Sequence, residues 1–273
     1  PNDVNLVIIP DAGSNQYKEH KMLKDKGMDV IVLDHHECDK ESEDAIVVNN
    51  QLSPEYTNKS FSGAGIVYKF CKALDAKLNI NHADHYLDLV SIGNISDMMD
   101  LRSLETRYYV LKGLKKINNL FLKALIDKQS FSMKGIVNIV SCQFYVVPLI
   151  NACIRSGNLQ EKLQMVNAFL ESKEQIFNQR KKEHESIHIA TARMLTNIKA
   201  RQGRLRDKGL ESIEQRIAEK SLLDNKILIV NVTDILDKNL SGLVANSLAK
   251  QYKRPVLLLR YDESTGILGG SGR

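Results

Sequence analysis

Two short apolar segments near the start of the chain, with a polar stretch between them, constrain the fold more than any other feature of the sequence. Residues 5–9 are apolar and largely β-branched, and they end at the loop sequence Pro-Asp-Ala-Gly-Ser of residues 10–14. Residues 16–26 are polar and compatible with a helix, and residues 30–33 form a second apolar run. This order is typical of a β-α-β unit, in which the two strands run parallel.

The periodicity of the remaining sequence predicts an α/β fold with two domains. A third strand is expected at residues 45–48, helical patterns run from Ser62 to about residue 170, and strand and helix patterns alternate again from residue 226. A glycine-rich turn is expected at residues 266–270. We therefore predict a parallel-sheet domain with a helical flank, a long connecting helix and a second, smaller α/β domain. Their predicted bounds are residues 1–170, 171–221 and 222–273.

Composition is typical of soluble globular proteins. The chain is 43% apolar and 26% charged, which argues against disorder and low complexity. No apolar run approaches the roughly 18 residues that span a bilayer, so we expect no membrane partner. The four cysteines are scattered without a Cys-x-x-Cys pair and no targeting peptide is visible, so the expected location is the reducing cytoplasm.

Positive charge is concentrated in one segment. The net charge of the chain is +5, but residues 179–208 alone hold nine Lys and Arg against three Asp and Glu. Apolar residues recur there at helical spacing, so we predict a long helix with a basic face. Two interpretations stay open at this point: a solvated connecting helix, or a surface that binds nucleic acid.

Acidic and imidazole side chains follow the first two strands at the points where they end. Asp11 comes after the first strand, and Asp34-His35-His36 comes after the second. Because ligands gather at the carboxyl ends of parallel strands, we expect these side chains to meet. Taken singly, each is better explained as a turn or polar loop residue, but their joint placement favours a metal site. The oxygen and nitrogen donors suit Mn²⁺ or Mg²⁺, and two such ions could polarise a phosphoryl oxygen, generate a hydroxide and stabilise the leaving oxygen.

These motifs resemble those of a known family. Asp34-His35-His36 after a strand, preceded by Asp11 in Asp-Ala-Gly-Ser, resembles the DHH phosphoesterase superfamily. The stretch Pro-Leu-Ile-Asn-Ala-Cys-Ile-Arg at residues 148–155 resembles the Pro-Arg-Ile-Asn-Ala-x-Gly-Arg motif of its RecJ branch. Further segments that resemble this branch are residues 62–65, 88–97, 242–249, 254–256 and 270–273. The resemblance covers almost the whole chain.

The resemblance implies a RecJ-like exonuclease that degrades single-stranded DNA from the 5′ end and uses two divalent cations, Mn²⁺ or Mg²⁺. The metal ligands that it implies are Asp11, Asp34, His35 and Asp97, and His36 is expected to assist catalysis by orienting its neighbour or a carboxylate. The residues expected to hold DNA phosphates are Arg155, Ser271 and Arg273, together with Arg201, Arg204 and Arg206 of the basic helix. Asp97 on its own is an ordinary helix-end acid, and only the resemblance makes it a candidate ligand.

The sequence departs from the family pattern in four places. The family's first cluster of aspartates is expected before residue 1, and its glycine-rich segment with a histidine is expected after residue 273. Leu149 stands where the branch usually has Arg, and Ile154 where it usually has Gly. We therefore expect these 273 residues to be part of a longer enzyme and to be inactive on their own.

Two other functions stay open. One is a small-molecule or oligoribonucleotide phosphoesterase of the same superfamily, which has no need of a long cationic helix. The other is a non-catalytic DNA-binding relative, although the complete set of predicted metal and catalytic residues argues against a decayed site. Aromatic residues make up 6% of the chain with no Trp, so base stacking would depend on few residues, such as Tyr145, Tyr252 or Tyr261. Nothing in the sequence indicates a protein partner.

Overall fold

The computed structural model describes residues 4–273, which form two compact units. The first unit comprises the described residues up to Pro148 together with Asn167–Ala192, and the second comprises Leu149–Val166 and Arg193–Arg273. Each unit contains a sheet with flanking helices, so the prediction of an α/β fold is confirmed. The domain bounds given above stay a prediction about the complete protein.

The first unit is organised around a parallel sheet. Its strands, in spatial order, are β1 (Leu6–Pro10), β2 (Asp29–Asp34) and β3 (Ile46–Asn49). Helix α1 (Tyr17–Asp25) connects β1 to β2, as the β-α-β pattern predicts. The register pairs Pro10 with Leu33 and Asp34 with Asn49. The carboxyl ends of all three strands therefore lie at one edge of the sheet.

Helices make up most of the chain between this sheet and residue 170. Their bounds are α2 (Gly63–Leu78), α3 (Leu87–Ser96), α4 (Leu104–Leu114), α5 (Leu120–Gln129), α6 (Ile139–Ser141), α7 (Val147–Ser156) and α8 (Leu159–Phe169). A 3₁₀ turn, Ala83–Tyr86, precedes α3, and a π-helical segment, Cys142–Val146, joins α6 to α7. The Ser62 hydroxyl caps α2 by accepting a hydrogen bond from the Gly65 N–H at 3.4 Å. The predicted start of α2 is therefore confirmed.

One continuous helical stretch, Ile139–Ser156, is long and apolar enough to span a membrane by length and composition alone. Its 18 residues have a mean hydropathy of 1.3, so the prediction that no apolar run reaches this length is wrong. The stretch also contains Asn151 and Arg155, and Cys142 and Val146 are fully buried in the protein. Of this stretch, 39% is buried within the protein, and length and hydropathy alone are weak evidence of a membrane span.

The basic segment is a hairpin followed by a helix. Its elements are β4 (Gln175–Asn178), the antiparallel β5 (Glu183–Ser186) and α9 (Ile187–Glu219). The prediction of a helix from residue 179 is therefore wrong. The Asn178 side-chain oxygen accepts hydrogen bonds from the N–H groups of Arg180 and Lys181, and this local turn competes with helix formation. Lys182 then adopts a left-handed φ of 56°, which reverses the chain.

The second unit contains a mixed sheet. Its elements are β6 (Leu228–Asn231), α10 (Ser241–Tyr252), β7 (Val256–Asp262) and β8 (Ile267–Gly272), with 3₁₀ turns at Leu222–Asp224 and Lys238–Leu240. β6 and β7 are parallel, and β8 pairs antiparallel with β7. The glycine-rich sequence is therefore mostly strand, and the prediction of a turn holds only for Gly266, whose φ is 68°. A Cβ on Gly270 would lie 2.0 Å from the Leu258 carbonyl oxygen, so this close approach of β8 requires glycine.

Candidate metal centre and anion site

Side chains that could hold a metal ion converge at the edge where the parallel strands end. One ligand atom from each of Asp11, Asp34, His35 and His36 lies within 4.8 Å of the others. Asp97, which follows helix α3, joins them, since its Oδ2 lies 3.1 Å from His35 Nε2. The same nitrogen is 3.2 Å from Asp11 Oδ1. The structure brings together all five residues that the sequence singled out for metal binding and catalysis, and we call them the metal cluster.

Asp34 is the anchor of the metal cluster. Its side chain is 1% exposed and accepts hydrogen bonds from the Ser14 hydroxyl at 2.8 Å, the His35 N–H at 2.8 Å and His36 Nδ1 at 2.7 Å. Burial alone would raise the pKa of Asp34, but the hydrogen bonds from His36 and Ser14 outweigh burial and lower the pKa to about 2. Asp34 is therefore a carboxylate at neutral pH, and it fixes the orientation of the His36 ring.

His35 lies between two carboxylates. Its side chain is 9% exposed, and its pKa is raised, mainly by the hydrogen bond to Asp11. The pKa of Asp97 is also raised, because that carboxyl group is partly buried. Two carboxylates this close repel each other unless a positive charge lies between them, and either a proton on His35 or a metal cation can supply it. Carboxylate oxygens with an imidazole nitrogen are a donor set that fits Mn²⁺ or Mg²⁺.

Two polar residues that the sequence analysis missed hold the metal cluster together. Ser14 donates its hydroxyl to Asp34, and Asn49 donates its side-chain N–H groups to the Ser14 oxygen at 2.8 Å and the His36 carbonyl at 2.9 Å. Asn49 is the last residue of β3. Asn49 therefore lies at the end of a third parallel strand, at the same edge as Asp11 and Asp34, and this placement is the signal that could have identified it.

Asp11 reaches the metal cluster through an unusual backbone conformation. Its φ is 59°, in the left-handed region, and its N–H donates to the Leu33 carbonyl at 2.9 Å. This bond continues the β1–β2 ladder by one residue and turns the chain at the sheet edge. The Asp11 side chain then packs on Gly63, where a Cβ would lie 2.1 Å from its Oδ1. The absence of a side chain at Gly63 makes room for the carboxylate.

Gly63→Ala is expected to displace Asp11 and weaken the metal cluster. We expect the substitution to lower the free energy of unfolding by about 1–3 kcal/mol and to weaken Mn²⁺ binding by about tenfold or more. Chemical denaturation and titration calorimetry with MnCl₂ measure the two effects. The matched control is Gly203→Ala in helix α9, where a Cβ would meet nothing within 4 Å. Unchanged Mn²⁺ affinity in Gly63→Ala would contradict this prediction.

Two residues predicted to hold phosphates meet at the start of α10 in the second unit. A Cβ on Gly242, the second residue of α10, would lie 3.2 Å from Arg273 Nη2 and 3.9 Å from Ser271 Oγ. A guanidinium group, a hydroxyl group and the first turn of a helix are each favourable for an anion. We call Ser271, Arg273 and the start of α10 the anion site.

Two of the basic residues predicted to contact DNA are engaged by carboxylates. Arg201 pairs with Glu161, with 2.9 Å between Arg201 Nη2 and Glu161 Oε2. Arg206 pairs with its neighbour Asp207 at 2.6 Å. The Arg206–Asp207 pair is exposed on both sides and therefore weak, so a phosphate could still compete for Arg206. These pairs nevertheless reduce the positive charge that α9 presents.

Two other predicted cations, Arg155 and Arg204, have no partner within the part of the chain that the structure describes. Their side chains form no hydrogen bond or ion pair with any of residues 4–273. Lys199 lies near Arg155 and Arg206, and its pKa is lowered by burial and then by these two positive charges. Like charges gathered in one place favour the binding of an anion.

Comparison with known families and proteins shows which sequences this chain is similar to. Residues 1–94 match the model of the DHH family, N-terminal domain. The chain is 56% identical over 279 residues to the SPbeta prophage-derived protein YorK of Bacillus subtilis (strain 168), which carries a provisional name as a single-strand DNA-specific exonuclease. It is 30% identical over 274 residues to the single-stranded-DNA-specific exonuclease RecJ of the same organism. The two alignments cover 100% and 98% of this chain but 48% and 32% of the relatives, so the chain spans at most about half their length.

Solved structures are similar to the chain along almost its full length. The crystal structure of an exonuclease RecJ bound to manganese matches with a TM-score of 0.73 at 24% identity. The match covers 93% of this chain and 60% of the RecJ chain. RecJ from Thermus thermophilus in complex with Mn²⁺ matches with a TM-score of 0.73 at 23% identity. This match covers 94% of this chain and 36% of the Thermus thermophilus chain. At this level of identity, the two matches support the fold.

Proposed function

Because residues 1–94 match the DHH family and the whole chain is homologous to RecJ exonucleases, we propose that it is the catalytic part of a metal-dependent exonuclease that degrades single-stranded DNA from the 5′ end. The observation that carries the proposal is the convergence of the metal cluster at the carboxyl edge of the parallel sheet. The four cysteines are free thiols, which supports action in the reducing cytoplasm.

The metal cluster would bind Mn²⁺ or Mg²⁺ through Asp11, His35 and Asp97, with Asp34 as a further ligand, and the proposal includes two ions in the complete enzyme. When bound, such ions stabilise the negative charge that develops on a phosphoryl group during hydrolysis. Asp34 also holds the His36 ring by the bond to Nδ1. The His36 side chain is 61% exposed, so it is oriented by Asp34 and accessible to a bound phosphate.

The anion site and the unpaired cations would hold the DNA backbone. Arg273 and Ser271 can bind a phosphate together with the first turn of α10, and Arg155 can bind another. Such contacts would involve phosphates and not bases. An exonuclease that digests any sequence gains nothing from reading bases, so the arrangement is consistent with the proposed activity.

Strands labelled at the 5′ or the 3′ end, incubated with the complete gene product that carries this chain, test the proposal. We expect loss of the 5′ label first, a strong preference for single strands over duplex, dependence on Mn²⁺ or Mg²⁺, and no cleavage in EDTA. Equal rates on duplex DNA would contradict the proposal. Cleavage of dinucleotides alone would indicate a small-molecule phosphoesterase, and binding without cleavage a non-catalytic DNA-binding protein.

Arg204→Ala should weaken binding to single-stranded DNA and reduce its salt dependence. The slope of log K against log salt concentration is negative, and each phosphate contact that is lost reduces its magnitude by about 0.7. Arg201→Ala is the matched control on the same helix, and we expect a smaller change because Glu161 already pairs with Arg201. Fluorescence anisotropy in EDTA at several salt concentrations measures both slopes. If a variant that also replaces Arg201 and Arg206 kept the native slope, α9 would be a solvated helix without a role in DNA binding.

A further inference from the structure

The π-helical segment Cys142–Val146 lies next to the residue that follows Asp97. Gln143 Nε2 lies 2.9 Å from the sulfur of Met98, and Met98 has a left-handed φ of 56° directly after the metal cluster. A π-helical turn inserts an extra residue into a helix and occurs frequently at functional sites. The segment therefore adjoins the place where the proposed reaction occurs.

An aromatic side chain on this segment is largely exposed to solvent. Phe144 is 66% exposed, although its neighbours Cys142 and Val146 are fully buried. Val140, one helical turn earlier on the same face, is 60% exposed, and Tyr145 is 41% exposed. Aromatic residues are scarce in this chain and burial is their usual contribution to stability, so an exposed phenyl ring on a segment that contacts Met98 is a candidate for binding a ligand.

We infer that Phe144 stacks against a base of the single-stranded DNA whose backbone enters the metal cluster, with Tyr145 and Val140 flanking the same base or its neighbour. The inference rests on the proposed function. It concerns the bases of the DNA, which the phosphate contacts leave without a partner. Every base has a flat π-face, so stacking on a phenyl ring holds any sequence.

This contact also provides a physical basis for the choice of single strands. In a duplex, both faces of each base are already stacked within the helix, so a base must first be unstacked before it can lie on Phe144. A single strand presents such faces at little cost. Phe144 is therefore a specificity-determining residue, and it differs in role from the arginines, which would attract single and double strands alike.

The test is binding by the complete gene product in EDTA, where no cleavage occurs. The probes are an oligonucleotide with 2-aminopurine near its 5′ end, whose fluorescence is quenched by stacking, and an abasic strand of the same length. Phe144→Ala should weaken binding to the first strand by about fivefold or more and remove the quenching, but leave binding to the abasic strand unchanged. Phe131→Ala is the matched control. Phe131 is 96% exposed and lies in a turn, so this substitution removes the same ring from a position outside the π-helical segment.

Other results would overturn the inference. Phe144→Leu keeps an apolar side chain without a π-face, so native quenching in that variant would show that stacking is not involved. If the wild-type protein bound and cleaved single strands and the Phe144→Ala variant bound them with native affinity, the inference would be overturned and the proposed function would stand. If Phe144→Ala changed only the sedimentation coefficient of the protein, the ring would belong to a contact between two copies of the chain. A wild-type protein that neither bound nor cleaved single strands would overturn both proposals.

Discussion

Replacing His35 with alanine should lower the rate of Mn²⁺-dependent cleavage of single-stranded DNA by about 10²-fold or more, while the affinity for the strand changes by less than about twofold. The expectation follows from the position of His35 Nε2, which lies 3.2 Å from Asp11 and 3.1 Å from Asp97. Its removal takes away the nitrogen donor and leaves two carboxylates facing each other. The phosphate contacts of the anion site lie on other residues and are unaffected.

Cleavage rates at saturating DNA and anisotropy in EDTA separate the two effects of His35→Ala. The matched control is His82→Ala, which removes an imidazole from an exposed position outside the metal cluster. A His35→Ala protein that cleaved at the native rate would show that the metal cluster is not the reactive centre. A large loss of DNA affinity with normal cleavage of bound strands would mean that His35 contacts the DNA itself.

Asp34→Ala should have the largest effect on stability, about 3–5 kcal/mol of the free energy of unfolding. The buried carboxylate accepts hydrogen bonds from Ser14, His35 and His36, so its loss leaves several buried donors without a partner. Asp34→Asn keeps the shape and an acceptor oxygen, and should retain more of the stability but still bind Mn²⁺ less tightly. Urea denaturation in EDTA and calorimetric Mn²⁺ titration measure these effects. Native stability in Asp34→Ala would contradict the role of Asp34 as the anchor of the metal cluster.

The parallel sheet and the metal cluster could be predicted because they depend on features that are local in the sequence. Apolar runs of strand length define β1 and β2, and the connection through α1 makes the two strands parallel. Once they are parallel, Asp11 and Asp34 must lie at the same edge. The helix bounds of α4 match the predicted pattern for the same reason, since periodicity is visible within a single segment.

The remaining features depend on contacts between residues that are distant in the sequence, or on side-chain hydrogen bonds that hydrophobic patterns do not show. The β4–β5 hairpin forms because Asn178 satisfies the N–H groups of its own turn, whereas the absence of proline and the helical spacing of the apolar residues that follow favour a helix there. The ion pair of Arg201 with Glu161 joins two helices, and no spacing within α9 indicates it. Gly63 gives no signal in the sequence beyond a helix start, although its lack of a Cβ admits Asp11.

The position of Asp97 has a consequence for the folding of the first unit. Asp11 and His35 belong to the sheet edge, whereas Asp97 closes helix α3, and a long stretch of chain separates them. A cation shared by these residues would therefore act as a reversible cross-link between the sheet and the end of α3, and it would bind the folded state in preference to the unfolded one. The divalent cation concentration would then set how often this helix end opens. Amide hydrogen exchange around residue 97 would slow as the cation concentration rises, so the same ions that serve the reaction would also hold the reactive centre in its folded shape.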